Sequence, residues 1–160
     1  MTTVMDLYRH LCLLAPEGLQ MDFDNSGFLV GRGDAPVRRC LLALDITDAV
    51  IDEAAALGAE LIVSHHPVIF RPLRQLHPTG EGSKVLRLTD NRIAAVCMHT
   101  NLDIAEGGVN DVLIRLLGAE PVEALDQDGC GRIGFLPQAL PLEAFWPAAG
   151  SVWASRACGM

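Results

Sequence analysis

The chain has 160 residues, of which 20 are acidic and 12 are basic, so its formal net charge is −8. This acidic balance argues against nucleic-acid binding, which ordinarily needs a basic face. Half of the residues are hydrophobic and only 20% are charged, so the sequence predicts a well-filled core and, in addition, apolar subunit interfaces.

The cysteines and the first residues predict the cellular compartment. The cysteines are widely spaced and form no Cys-x-x-Cys motif, which favours free thiols in a reducing compartment over disulfides or a cysteine-rich zinc site. The N-terminal segment carries an acidic side chain and no long apolar stretch, unlike a signal peptide. No apolar run approaches the roughly 18 residues of a membrane-spanning helix. We therefore expect a cytoplasmic protein without a membrane partner. The cysteines are Cys12, Cys40, Cys97, Cys130 and Cys158.

The first predicted helix begins after Thr3. Apolar side chains then recur at three- and four-residue steps as far as Leu14, and Pro16 ends the pattern. A turn-rich segment over residues 22–27 follows and leads into a short apolar run at 28–30.

Helices and apolar runs then alternate along the chain. The runs, rich in Ile, Val, Leu and Ala, are typical of buried parallel strands, and each is followed by a capped, helix-like segment. The order predicts an α/β fold with a parallel-type sheet flanked by helices. The predicted strands are 40–44, 61–63 and 93–98; the helices are 49–57, capped by Thr47 or Asp48, one after Ser83, and one after Gly108.

The pattern loosens after Pro121. Residues 132–136 form a short strand candidate that would begin a second subdomain, and from Phe145 the sequence shows neither a helical nor a strand period. We predict an N-terminal α/β domain over residues 1–124. Residues 125–160 are predicted to hold the start of a truncated second subdomain and an irregular tail.

Polar clusters stand directly after two of the predicted strands. Ser64-His65-His66-Pro67 follows one strand, and His99-Thr100-Asn101-Leu102-Asp103 follows the next. Ligands of open α/β sheets bind outside the carboxyl ends of the strands, so these clusters are expected to share one site. Imidazole and carboxylate groups suit divalent Zn, Fe, Mn, Ni or Co. The sequence therefore predicts a metal site in the 1–124 domain that draws on His65, His66, His99 and Asp103.

The same residues allow structural interpretations. The histidine pair could end a strand in a solvated loop, His99 could donate to a backbone carbonyl, and Asp103 could cap a helix. Asp45 and Thr47 end a third strand and could face the same crevice or cap the next helix. The basic loop that follows the histidines could steer an anionic substrate or be ordinary surface. Its residues are Arg71, Arg74, His77 and Lys84.

Five motifs in order resemble a known family. They are Asp24-Asn25-x-Gly27-x-x-Val30-Gly31, Leu44-Asp45-x-Thr47, Ser64-His65-His66-Pro67, His99-Thr100-Asn101-Leu102-Asp103 and Gly131-Arg132-Ile133-Gly134. Together they resemble the GTP cyclohydrolase I type 2 family, the Nif-three-like dinuclear metal-centre proteins, from about residue 4 to about residue 143.

The resemblance implies a Nif-three-like α/β fold, a toroidal homohexamer and a two-metal site. In that site His65 and His66 are terminal ligands, Asp103 is a ligand from the second strand, and His99 is auxiliary. It also implies hydrolysis by water of an anionic small molecule or nucleotide, with no catalytic residue assigned.

The family pattern includes a further His-x-x-x-Glu pair, whereas no histidine follows His99 here. We therefore expect a truncated chain with weak, substoichiometric metal binding. The alternative function is a non-catalytic assembly or binding module. A phosphoesterase of the Asp-His-His type is excluded because Ser64 stands where its aspartate would be.

Overall fold

A computed structural model describes residues 1–80 and 82–157 of the chain. Residues 1–105 and 106–160 form two compact units. The domains predicted over 1–124 and 125–160 stay a prediction.

Among its described residues, the first unit contains four α-helices of widely differing length and a four-stranded sheet. Helix α1 has the capping box expected at Thr3: the Thr3 hydroxyl accepts from the Asp6 N–H, and the Asp6 carboxylate accepts from the Thr3 N–H. A short 3-10 turn over Glu17–Leu19 follows it. The elements are α1 (Val4–Leu14), β1 (Gly27–Val30), β2 (Cys40–Ala43), α2 (Asp48–Leu57), β3 (Leu61–Ser64), α3 (Ser83–Asp90), β4 (Ala94–Cys97) and α4 (Thr100–Ile104).

The sheet has the strand order β1-β4-β3-β2. Strand β3 pairs in parallel with both β2 and β4, as the helix–strand alternation predicts. Strand β1 runs antiparallel to β4, with Gly27 opposite Cys97. The sheet is therefore mixed, and the start of β1 lies at the edge where the other three strands end.

Two apolar clusters form the core of this unit. Alternate strand residues belong to different clusters, because successive side chains of a strand point to opposite faces. Ile62 belongs with residues of α2 and α3, whereas Leu61 belongs with Val4 of α1. The predicted arrangement of a sheet flanked by helices is confirmed. None of the described helices has the length and apolar character needed to cross a membrane.

The second unit contains α5 (Val109–Leu116), the antiparallel hairpin of β5 (Glu120–Ala124) and β6 (Arg132–Phe135), and α6 (Leu142–Ala157). The predicted strand at 132–136 is confirmed. Over residues 145–157 the irregular tail predicted from Phe145 is wrong, because these residues belong to α6, and the last three residues of that predicted tail lie outside the described part of the chain. Alanine has a high helix propensity, and α6 continues past Pro147 although a proline removes one helical N–H and crowds the carbonyl four residues before it. Leu142 and Trp146, two apolar residues in the first half of α6 whose side chains the structure describes, are exposed.

A buried ion pair joins α5 to the hairpin of the second unit. Asp111 contacts Arg132, and the side chains are only 5% and 11% exposed. Asp111 also accepts from the Gly107 N–H at 2.7 Å. The Gly107 N–H and the Arg132 guanidinium hold the pKa of Asp111 below its usual range, against the effect of burial.

Asp111→Asn should lower the free energy of unfolding of this unit by about 3 kcal/mol, because it leaves the buried Arg132 charge uncompensated. A carboxylate with a lowered pKa stabilises the fold above its ordinary pKa, and this contribution is lost as pH falls through the folded-state value. The deficit of the variant should therefore shrink below about pH 4. Urea denaturation followed by tryptophan fluorescence measures it, since Trp146 and Trp153 both belong to this unit. Asp128→Asn, at an exposed position, is the control, and an equal effect of both changes would contradict the prediction.

Candidate metal centre

Four segments of the first unit meet at one edge of the sheet. The parallel register aligns Ala43 with Ser64 and Ser64 with Cys97, so β2, β3 and β4 end side by side. The residues that follow these strands therefore lie next to one another. The antiparallel β1 adds the residues that precede it, 24–26, to the same edge.

Three histidines form a cluster at this edge. The ring centroids lie 5.0 Å apart for His65 and His66, 5.1 Å for His65 and His99, and 5.5 Å for His66 and His99. One ring nitrogen from each histidine can be chosen so that all three atoms lie within 4.8 Å of one another. This spacing is compact enough for the three imidazoles to share one ion.

Each imidazole is oriented by an acceptor at its Nδ1 atom. The His65 Nδ1 lies 3.1 Å from the Met98 carbonyl, the His66 Nδ1 lies 2.8 Å from Asp45, and the His99 Nδ1 lies 2.8 Å from Asp24. Carbonyl and carboxylate oxygens accept hydrogen bonds, so each Nδ1 is the donor. In the neutral ring the lone pair is then on Nε2, which is the arrangement of metal-binding histidines. The donor set therefore fits a divalent cation.

Asp24 is the best-connected carboxylate of the site, with a side chain that is 0% exposed. Besides the His99 ring, it accepts from the Thr100 hydroxyl and N–H, from the Ser26 hydroxyl at 2.8 Å and from the Asn25 N–H at 2.6 Å. Burial raises the pKa of Asp24, but the hydrogen bonds from Thr100, His99 and Ser26 outweigh it and hold that pKa far below its usual range. Asp24 is thus an ionised anchor for the His99 ring.

Asp103 lies beside the cluster, with its Oδ1 3.8 Å from the His65 Nε2. The structure thus brings together His65, His66 and Asp103, as their strand-end positions predict; their role as metal ligands stays a prediction. Helix α4 begins at Thr100 with His99 as its N-cap residue, so Asp103 is in the helix and does not cap it. Thr47 caps α2, which leaves Asp45 to hold His66.

The sequence predictions missed the position of Asp24 and gave His99 a smaller role than its geometry indicates. A ring nitrogen of His99 lies as close to those of His65 and His66 as the cluster requires, although the family resemblance implied only an auxiliary role for this residue. Asp24 was assigned to a turn before a strand. The signal that could have found it is the antiparallel direction of β1, which is not visible in the periodicity of one short apolar run.

Cys97 contacts the backbone of the histidine cluster and is not a candidate metal ligand. Its Sγ donates to the His65 carbonyl at 3.0 Å, and the residue is buried. Burial, together with the negative charge of Asp24, raises the pKa of the Cys97 thiol to about 12. Because the thiolate is the form that binds metals, this cysteine instead supports the His65 backbone.

The fold and the cluster define an α/β protein with a histidine-rich candidate metal centre at the carboxyl edge of its sheet. A family model for Duf34/NIF3 (NGG1p interacting factor 3) matches residues 2–155. The chain belongs to this family, which confirms the resemblance based on the motifs.

Similar proteins extend well beyond the matched segment. A GTP cyclohydrolase 1 type 2 homolog of Halalkalibacterium halodurans is 42% identical over 77% of this chain and 32% of its own length. One from Clostridium acetobutylicum is 36% identical over 88% of this chain and 55% of its own length. A solved Bacillus cereus protein related to NIF3 is 39% identical with a TM-score of 0.74, and the match covers 78% of this chain and 35% of that one. The chain thus spans between about a third and just over half of these relatives.

Proposed function

We propose that this chain binds a divalent cation through the Nε2 atoms of His65, His66 and His99, with Asp103 beside them, and takes part in hydrolysis of an anionic small molecule or nucleotide. The observation that carries this proposal is the acceptor at the Nδ1 of each of the three histidines. With each Nδ1 donating a hydrogen bond, all three neutral rings keep their lone pair on Nε2, where it can bind a cation. A cation in such a site lowers the pKa of water and stabilises negative charge on a substrate, which supplies hydrolytic chemistry.

The chain's own groups orient this site. Asp24 and Asp45 hold the imidazoles of His99 and His66, while the Met98 carbonyl holds that of His65. Asp103, at 3.8 Å from the His65 Nε2, is placed to accept a proton or to complete a ligand set. Imidazoles with a carboxylate suit Zn, Fe, Mn, Ni and Co.

The same donor set bears on the number of ions. Three imidazoles and one carboxylate match the roughly four ligands of one ion. The two-ion centre implied by the family resemblance needs further ligands in addition to these. Because His99 adds an imidazole to the ligands implied by the resemblance, we now expect about one bound ion per 160-residue chain in place of substoichiometric binding, and fewer than two.

An activity assay tests the hydrolytic part of the proposal. The chain loaded with Zn²⁺ or Mn²⁺ should hydrolyse GTP or p-nitrophenyl phosphate faster than the chelator-treated chain, and His65→Gln should remove the difference. Chromatography of products and release of nitrophenolate measure it. Cation binding without any turnover would instead support a non-catalytic binding or assembly module.

We also propose that the protein is cytoplasmic and self-associates, up to the toroidal homohexamer expected of the family. The support for self-association is β2, the outermost strand of the sheet in the described part of the chain, where Leu42 is 76% exposed and Leu44, just beyond it, is 63% exposed. Exposed apolar side chains on an unpaired strand edge favour association.

The double change Leu42→Glu with Leu44→Glu should shift the chain toward the monomer, since charges on an edge strand oppose pairing. Size-exclusion chromatography with light scattering measures this. Leu57→Glu, at an exposed position of α2, should leave the assembly unchanged. An unmodified chain that is monomeric at all concentrations would overturn the prediction.

A further inference from the structure

A small cavity opens in the loop that directly follows the histidine pair. It has a volume of about 250 Å³ and an apolar wall with two basic side chains. Its lining begins at Pro67, the residue after His66, and is formed by Pro67, Val68, Ile69, Phe70, Arg71, Leu73 and Lys84.

The backbone of this loop is tied to the candidate metal centre. The Asn25 side-chain amide donates to the Ile69 carbonyl at 2.6 Å, and Asn25 directly follows Asp24, the carboxylate that holds His99. Val68 and Ile69 pack against the core cluster that contains Ile62. The cavity wall is therefore fixed beside the histidines by packing and by a hydrogen bond.

The two basic side chains of the cavity have no carboxylate partner among the described residues, a property that they share with Arg74 in the same loop. Arg32, Arg87 and Arg132 each contact a carboxylate. In the part of the chain that the structure describes, neither Arg71 nor Lys84 forms an ion pair, although acidic residues outnumber basic ones by 20 to 12. Two like charges at one small cavity repel each other, and a bound anion would relieve that repulsion.

We propose that this cavity is the anion subsite of the protein: Arg71 and Lys84 bind a phosphate or carboxylate group, and the apolar wall holds a flat apolar group attached to it. Arginine suits two-point recognition of such anions, and lysine supplies a point charge. Pockets of this kind combine an apolar lining with a few polar anchors. The inference rests on the proposed function, since it assigns the substrate of the metal centre to small anions with an apolar part.

Phenyl phosphate is the probe, titrated into the ¹⁵N-labelled full chain in excess chelator. We expect a Kd on the order of 1 mM for so small a ligand, with shifts concentrated at residues 67–73 and at Lys84. Lys84→Gln and Arg71→Gln should each raise the Kd about tenfold, as expected for a lost charge-assisted hydrogen bond. Arg74→Gln, an exposed change in the same loop outside the cavity lining, should have no effect.

Parallel titrations separate the contributions to binding. The Kd of benzoate shows whether a carboxylate binds as well as a phosphate. The Kd of inorganic phosphate, compared with that of phenyl phosphate, gives the contribution of the ring, and the Kd of phenol gives the contribution of the charge. Phenol that binds as tightly as phenyl phosphate, or equal effects of all three glutamine variants, would overturn the proposal. Anion binding in a chain that binds no cation would refute only the proposed function, and cation binding without phenyl phosphate binding would refute only the subsite.

Discussion

His99→Gln should weaken divalent-cation binding by more than about 100-fold. Loss of a group that only supports a ligand typically costs 10–100-fold in affinity, so loss of one of three clustered imidazoles should cost more. The His99 ring shares a compact cluster with His65 and His66, and its Nδ1 is held by Asp24. Competition of the chain with a chromophoric chelator for Zn²⁺ measures the change.

His77→Gln is the matched control, because His77 is exposed in the loop after the cluster and belongs to no clustered ligand set among the described residues. It should leave the affinity for Zn²⁺ unchanged. Equal affinities of the two variants would show that His99 is a structural residue of the strand end and not a ligand.

Asp24→Asn should reduce both stability and cation affinity. The change places an amide N–H₂ group among the donors of His99, Thr100 and Ser26 and removes the charge that they stabilise. Hydrogen bonds to charged groups contribute about 1.5–3 kcal/mol each and are not additive, so we expect a loss of about 3 kcal/mol in the free energy of unfolding. Cation affinity should fall roughly 10–100-fold, because the His99 ring is no longer oriented.

Urea unfolding followed by circular dichroism and the same chelator competition measure the two effects. Asp22→Asn, two residues away at an exposed position, should change neither. If Asp24→Asn lowered the free energy of unfolding but left the cation affinity unchanged, Asp24 would stabilise the loop without orienting a metal ligand.

Most of the α/β architecture could be predicted because its signals are local. Thr3 and Thr47 cap helices as their side chains suggest, and Gly58 takes the left-handed conformation that ends α2. The apolar runs form the strands because buried parallel strands need apolar side chains on both faces. Parallel strands end at a common edge, and this rule alone predicted that His65, His66 and Asp103 lie close together.

The remaining features depend on long-range pairing that one sequence does not reveal. Strand direction decides that residues 24–26 join the site, since an antiparallel β1 starts where β4 ends. The contact of His66 with Asp45 likewise depends on β2 and β3 being neighbours. Helix α6 was missed because the apolar residues of its sequence do not recur at helical spacing and because Pro147 lies inside it.

The cation content of the 160-residue chain tests the central claim most directly. The chain, loaded with excess Zn²⁺ and freed of unbound metal by gel filtration, should retain about one ion per chain by elemental analysis, consistent with one four-ligand site. The His99→Gln chain, treated in the same way, should retain almost none, and the His77→Gln chain should match the unmodified one. Retention of no metal by the unmodified chain, or of equal metal by the His99→Gln chain, would contradict the claim that this histidine cluster is a metal centre.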